Sequence, residues 1–373
     1  MSTRVYLDHN ASSPARPEVI DAMVQALNTP GNASAPHGAG RAAHKLVADG
    51  REAVALAMGV CAQDLIFTAS GTESVNTAIK SAVEGGAKRI LVSGMDHPAS
   101  ILAAEASGAR VDIIPTLETG LVDMEWLGAC LKDWDVKDGP PCITISAANS
   151  ETGVLQDIET VTELVHEAGG HVLVDAVQAL GKTPMIYNVD YLAVSAHKIG
   201  GPQGVGALYC APDAPYTNLL IGGGQEKRRR AGTINVAGIA GFGTAAKLAE
   251  NLDHTRALRD AIETGLESME PDLVIFGRNT ERLPNTCLFA VPCASSSTLM
   301  MGLDLEGISV STGIACSSGK VGASRAITAM GLADKAPQGA IRISLGYTSG
   351  PNDVDRFLSA WAKIRKLSLQ GAA

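Results

Sequence analysis

Aromatic side chains are scarce in this chain: 5 Phe, 6 Tyr and 3 Trp, or 4% of 373 residues. That leaves little scope for aromatic stacking platforms. An excess of positive charge is missing as well. The formal net charge is -9 at pH 7, which argues against a nucleic-acid binder whose affinity rests on a basic surface. No apolar run is long enough to span a bilayer. The opening Met1-Ser2-Thr3-Arg4 leads straight into a strand pattern, without the look of a signal peptide. A cytoplasmic location, with neither membrane nor nucleic acid as partner, is the expectation. The cysteines Cys61, Cys130, Cys142, Cys210, Cys287, Cys293 and Cys316 are dispersed and include no C-x-x-C pair. They form neither a disulfide framework nor a zinc-site spacing, so no metal site is expected. Internal repeats and low-complexity segments are also lacking.

Glycine, by contrast, is abundant at 40 residues, and 46% of the chain is apolar, an ordinary fraction for a folded globular protein. The length allows roughly two or three domains. Short strand-like runs recur at Leu65 to Thr68, Arg89 to Ser93, Val111 to Pro115, Cys142 to Ser146, Val172 to Asp175, Tyr191 to Ser195 and Ala207 to Cys210. Helical spacing lies between most of them, as from Asp157 to Ala168, and precedes them from Pro17 and from Ala43. Two longer helical stretches follow, Ala237 to Leu252 and His254 to Met269. This alternation predicts an α/β fold with a mostly parallel, doubly wound sheet. From about Arg278 the pattern changes to a smaller α+β unit. Its strands are Thr286 to Val291, Ile308 to Ser311 and Ala340 to Ser344, and it closes with a helix from Asn352.

Ligands of doubly wound sheets bind outside the carboxyl ends of the strands. The polar residues that follow the strands are therefore the informative ones. Chief among these stretches is Val194-Ser195-Ala196-His197-Lys198-Ile199-Gly200-Gly201-Pro202. An amine that does covalent chemistry needs a fixed stem and neighbours that hold a cofactor. Lys198 can form a Schiff base with an aldehyde, and Ser195 and His197 can donate to a phosphate, a set that suggests pyridoxal phosphate. Asp175 can pair a protonated pyridine nitrogen, Gln178 can reach a ring hydroxyl, and His97 can stack on the ring. Ala69-Ser70-Gly71-Thr72-Glu73-Ser74 opens a helix whose first amides and Thr72 could hold the phosphate. Each feature alone also fits a solvated lysine, an ordinary N-cap, a turn aspartate or a loop histidine. Their common placement at strand ends favours the cofactor.

These stretches, taken together, carry a resemblance that runs through nearly the whole chain. Tyr6 to Ala11, Phe67 to Asn76, Asp96-His97, Asn149 to Ile158, Asp175 to Lys182 and Ser195 to Tyr209 appear in order. Gly222 to Thr233, Ser311 to Cys316 and Ile341 to Gly346 follow. The chain resembles the cysteine desulfurases of the NifS and IscS type, in the fold-type I, class V aminotransferase group.

The resemblance implies a seven-stranded, mostly parallel sheet flanked by helices and a smaller α+β domain. It divides the chain into an arm (1-15) joining the small domain, a large cofactor-binding domain (16-255) and a small domain (256-373) carrying the Cys316 loop. Lys198 would carry pyridoxal phosphate and move the substrate's α-proton. Asp175 would hold the ring nitrogen, Gln178 the ring oxygen, and His97 would stack. Gly71, Thr72, Ser195 and His197 would bind the phosphate, with Thr233 reaching the phosphate of the neighbouring subunit in a homodimer. Asn149 and Arg342 would position the substrate, L-cysteine, Arg342 by forking onto its carboxylate. Cys316 would take the sulfur as a persulfide, release L-alanine and pass the sulfur to an acceptor or iron–sulfur scaffold protein. No resident metal is implied; Cys316 alone would meet an iron–sulfur cluster, and then only in passing.

Three departures from the family pattern stand out. Ala69-Ser70-Gly71 replaces the usual Ser-Gly-Ala, Ala231 stands where a serine is common, and Gly319 to Ala326 lacks the usual Glu-Pro-Ser element. The rival readings are a selenocysteine lyase, a transaminase of the same fold and an inactive scaffold protein.

Overall fold

Alternate residues of the central strands face opposite ways, and in this chain both sets are apolar. Val172 and Val174 join one buried cluster with Leu192, Val194, Ile143 and Ile145. Leu173 joins another with Tyr191, Ala193, Ile90 and Val92. A sheet buried on both faces reads as a continuous apolar run, as parallel sheets do. The computed structural model describes residues 4–185, 188–249, 252–312 and 324–370.

The strands in chain order are β1 (Val5–Tyr6), β2 (Leu65–Thr68), β3 (Arg89–Ser93), β4 (Arg110–Ile114), β5 (Cys142–Ser146), β6 (His171–Asp175), β7 (Tyr191–Ser195) and β8 (Gly206–Cys210). They continue as β9 (Val274–Ile275), β10 (Thr286–Ala290), β11 (Ile308–Ser309), β12 (Ser311–Thr312) and β13 (Ile341–Ser344). Seven of them form the central sheet in the order β2-β8-β7-β6-β5-β3-β4. β8 is antiparallel to both of its neighbours, and the other pairings are parallel. One strand of seven therefore runs against the rest, and the expected mostly parallel sheet is present.

Helices cover both faces. The helix Gly71–Glu84 supplies Val75, Ala78, Ile79 and Ala82 to one face. On the other, helix Gly38–Met58 crosses helix Val236–Leu248 at a glycine pair. A Cβ on Gly243 would stand 2.6 Å from the Gly50 Cα, so the crossing requires glycine there. The exposed edge of β2 is not left bare. The Phe67 N–H donates to the buried Glu226 at 2.9 Å, and Arg51 pairs with the same carboxylate at 2.6 Å.

The second part of the fold is a four-stranded antiparallel sheet, β12-β13-β10-β9, packed on helices His254–Met269 and Pro351–Gln370. β1 pairs in parallel with β11, and Val5 and Leu7 enter the same apolar cluster as Phe357 and Trp361. The single strand expected from Ile308 to Ser311 is in fact two. β11 serves the N-terminal arm and β12 serves β13, with Val310 between them. No helix among the described residues is long and apolar enough to cross a membrane.

A buried ion pair anchors the junction between the two parts. Arg282, which bridges to Val154, donates to both oxygens of Glu263 at 2.9 and 3.2 Å. Both side chains are 4% exposed. Arg259 Nε stands 3.9 Å from the same carboxylate, so losing Arg282 leaves the buried Glu263 without its two-pronged partner and with one longer contact. Arg282→Met is expected to lower the unfolding free energy by about 3–5 kcal/mol, read by urea denaturation of the apoprotein. The double replacement Arg282→Met with Glu263→Leu is expected to recover most of that loss. A single variant as stable as the parent would show that the pair is not anchoring the junction.

Candidate active site

A cavity of about 370 Å³ opens at the carboxyl ends of β3, β5, β6 and β7. It collects Asp175 and Ser195 from the last positions of β6 and β7, and His97, Gln178, His197 and Lys198 from the segments that follow the strands. Gly71 and Thr72 border it from the first turn of their helix, and Ser311, Thr312 and Arg342 close it from the antiparallel sheet. Residues far apart in the chain meet here because parallel strands bring all their carboxyl ends to one edge of the sheet.

Lys198 ends a short 3₁₀ turn, Ala196–Lys198, directly after β7. Its Nζ donates to the carbonyls of Asn10 at 2.7 Å and Ala11 at 2.8 Å. The N-terminal arm thus sets the direction of this stem. Asp175 ends β6 with its carboxylate accepting from the Val177 N–H at 2.9 Å. Burial pushes the Asp175 carboxyl above its usual range, against the pull of the Val177 amide and of the positive charges of His97 and Lys198. A second carboxyl, Asp96, lies behind it. Asp96 accepts from the Ser146 amide at 2.8 Å and from the Thr144 hydroxyl at 3.3 Å. Burial first, and Asp175 second, push it up to about 8.

His97 caps helix Pro98–Ala106, and its Nδ1 accepts from the Ala99 amide at 3.1 Å. That contact assigns the proton of the neutral ring to Nε2. Burial lowers the affinity of the ring for a second proton, with Lys198 and Arg325 adding to the effect and Asp175 opposing it. His197 is lowered to about 4, first by burial and then by Lys198 and Lys182. His197 is therefore neutral at pH 7.

Ser70 caps helix Gly71–Glu84 through the Glu73 amide at 3.2 Å. The first-turn amides of Gly71 and Thr72 have no carbonyl four residues back inside the helix, and they border the cavity. Glycine is required at 71, because a Cβ there would lie 2.6 Å from the Val177 Cγ2. The shift of Gly71 relative to the family pattern therefore leaves a usable helix terminus.

Arg342, on β13, donates from Nη2 to Asp8 at 2.7 Å and from Nη1 to the Ser150 carbonyl at 3.0 Å. Its Nε is buried and has no partner among the described residues. A guanidinium oriented on one side and unsatisfied on another is suited to receive a carboxylate.

Asn149 is not among the residues that line the cavity; its Oδ1 and one of its two amide N–H groups are engaged elsewhere in the chain. Nδ2 donates to the Met95 carbonyl at 2.9 Å, while Oδ1 accepts from Glu151 N, Thr152 N and the Thr152 hydroxyl at 2.8–3.1 Å. Its neighbour Ser150 faces the cavity instead. Thr233 is exposed and lines a different hollow, of about 170 Å³, beside Thr68, Gly204 and Arg230. Arg230 pairs with Glu73 at 2.9 Å and ties that loop to the start of helix Gly71–Glu84. Cys316 lies outside the described residues. The other six cysteines are free thiols, and none of them borders the cavity. Among the described residues no group of His, Cys, Asp and Glu is placed to hold a metal ion.

Residue-type reasoning passed over Asn10, Ser150, Val177 and Lys182. Lys182 carried one readable signal: a charged residue inside an otherwise small or apolar run, Ala179 to Pro184. Lys182 also stands four residues after Gln178, the spacing of one helical turn.

Comparison with known proteins agrees with this layout. The profile of the aminotransferase class-V family matches residues 5–357. A cysteine desulfurase of Cereibacter sphaeroides is 38% identical over 386 aligned positions, which cover 99% of this chain and 98% of that protein. A solved NifS-like protein superposes with a TM-score of 0.89 at 33% identity, over 98% of this chain and 100% of the other. The structure of SspA in complex with cysteine gives a TM-score of 0.78 at 26% identity, over 92% and 99% of the two chains.

Proposed function

The chain belongs to the aminotransferase class-V family, and from that premise we propose that it is a pyridoxal-phosphate-dependent cysteine desulfurase. The observation that carries this reading is the meeting of Lys198, Asp175, His97 and Arg342 around one cavity. The residues present fit the cofactor. A buried carboxyl pushed above its usual range gains from a cationic ring nitrogen beside it. The free first-turn amides at Gly71, with Thr72, Ser195 and His197, form a donor set for a phosphate dianion. When bound, pyridoxal phosphate supplies an aldehyde for amines and a ring that withdraws electrons.

The chain's own residues do the rest. Lys198 holds the cofactor and moves the substrate's α-proton at its Nζ. His97 covers the ring. Arg342 receives the substrate carboxylate, with Asp8 fixing the guanidinium and Ser150 next to it. Cys316, as thiolate, attacks the sulfur of L-cysteine. The carbon–sulfur bond breaks, L-alanine leaves with the electron pair and a proton, and Cys316 keeps the sulfur as a persulfide. That sulfur then goes to an acceptor for iron–sulfur cluster or thio-cofactor assembly. Thr233 is exposed and outside the cavity, so it can serve a phosphate only across a subunit boundary. This favours a homodimer.

The test is product stoichiometry. Loaded with pyridoxal phosphate and given L-cysteine and a thiol reductant, the protein is expected to release L-alanine and sulfide in equal amounts, without a 2-oxo acid. Alanine production that requires an added 2-oxo acid would make it a transaminase. Turnover confined to L-selenocysteine would make it a lyase, and no turnover of either substrate a scaffold.

A further inference from the structure

Behind Lys198 a second lysine is sealed into the protein. Lys182 is 3% exposed. Its Nζ donates to Gln178 Oε1 at 2.6 Å and to Asn10 Oδ1 at 2.8 Å. Among the described residues no carboxylate pairs with it. An amine on four methylenes is costly to bury, and stability alone would favour an apolar side chain here. What the buried amine does is settle the direction of an amide.

Gln178 can present either an oxygen or an N–H to the cavity. A protonated Lys182 has only N–H groups to offer, so Oε1 turns towards it, and beside a neutral one the amide keeps the same direction because the Asn10 carbonyl on its other side can only accept. Nε2 then faces the other way, donates to the Asn10 carbonyl at 2.9 Å, and keeps a second N–H beside the cavity that Gln178 lines. Asn10 is held with equal completeness. Its Oδ1 accepts from Lys182 and from Asn285 at 3.2 Å, and its Nδ2 donates to Thr286 Oγ1 at 2.9 Å and to the Ser150 carbonyl at 3.2 Å. The Asn10 carbonyl receives both Gln178 and Lys198. One buried network therefore aims the amide and the reactive amine together.

We propose that Lys182 is a positioning residue, which fixes the Gln178 amide so that an N–H donor meets the ring oxygen of the bound cofactor. This rests on the reading above, that the cavity holds pyridoxal phosphate. Burial, with Lys198 and Arg342 nearby, lowers the affinity of Lys182 for its third proton. The neutral amine still supplies the two N–H donors that the geometry uses, so the role survives either protonation state. The other charged or titratable groups around this network are His9, His197 and Asp8 on one side and His97 and Asp175 across the cavity.

The measurements are the affinity of the apoenzyme for pyridoxal phosphate and the pH midpoint of the holoenzyme's visible absorbance. Lys182→Met keeps the apolar volume and removes the donors. Affinity is expected to fall roughly tenfold, and the midpoint to rise by about one pH unit, because an anionic ring oxygen loses its donor. Gln178→Met is expected to do the same, and the double variant no more than either single one, since both act through one amide. Lys182→Arg, which keeps N–H donors, is expected to restore the midpoint. Wild-type affinity and midpoint in Lys182→Met, with only a lower melting temperature, would overturn the proposal; so would losses that multiply in the double variant. If Lys182→Met does not fold, Gln178→Glu decides, because it puts an oxygen where the N–H should be. Binding by Gln178→Glu as tight as wild type would refute the amide orientation. A wild-type apoenzyme that takes up no pyridoxal phosphate would instead sink the functional reading itself.

Discussion

Lys198→Ala is expected to give a protein that borohydride, in the presence of pyridoxal phosphate, no longer labels, whereas the wild type gains one phosphopyridoxyl group at Lys198. Turnover of L-cysteine is expected to fall by about two to four orders of magnitude from the lost proton transfer alone. The loss is large because no second amine can stand in. Lys182 is the nearest candidate, but it is committed to Gln178 and Asn10 and does not line the main cavity. Lys198, in contrast, borders the cavity with its Nζ donating to two backbone carbonyls of the N-terminal arm. Peptide mapping of the reduced adduct makes the experiment decisive. A label at Lys182, or labelling of Lys198→Ala to the wild-type extent, would remove Lys198 from the centre of the chemistry.

Cys316→Ala is expected to keep the cofactor, with unchanged visible absorbance, and to lose sulfide release from L-cysteine by on the order of a thousandfold or more. The six other cysteines offer no replacement. Cys142 and Cys210 are buried, and burial pushes each thiol up to about 12. Cys287 is raised well above the ordinary thiol value for the same reason. Cys61, Cys130 and Cys293 lie away from the cavity. Thr312 does line it. Cys316 follows four positions later in the sequence. Full-rate desulfuration by the variant would place the nucleophile elsewhere, or make the sulfur leave without one.

The sheet was legible because its physics is local. Tyr191 to Val194 and Val172 to Val174 carry β-branched or apolar residues at every position, a pattern that suits a strand buried on both faces. Their ends were legible for the same reason: polar residues directly after such a run have nowhere to go but the carboxyl edge. Lys198, Asp175 and His97 could be read from this alone. The split of Ile308 to Ser311 into two strands could not, because each half answers to a partner, β1 or β13, that the local sequence does not mention. The direction of β8 was hidden likewise, since an antiparallel strand and a parallel one share one apolar pattern.

Asn149 shows the other limit. The residue type suits a substrate contact, but its Oδ1 and one of its two N–H groups are taken by other parts of the chain, and a count of hydrogen bonds exists only once the chain has folded. Lys182 is the converse case. Its charge, in a stretch otherwise small and apolar, argued for the surface, and the fold buried it against two amide oxygens.

By itself the sequence determined which residues can end a buried strand, cap a helix or supply a reactive amine, because those properties depend on side-chain chemistry and short spacing. Only the tertiary structure decided which of those groups face one another and which are already spoken for. Hydrogen bonds such as those from Asn10 to Thr286 and from Lys182 to Asn10 join segments 276 and 172 positions apart, and each polar atom has a fixed number of partners that distant chain can claim first.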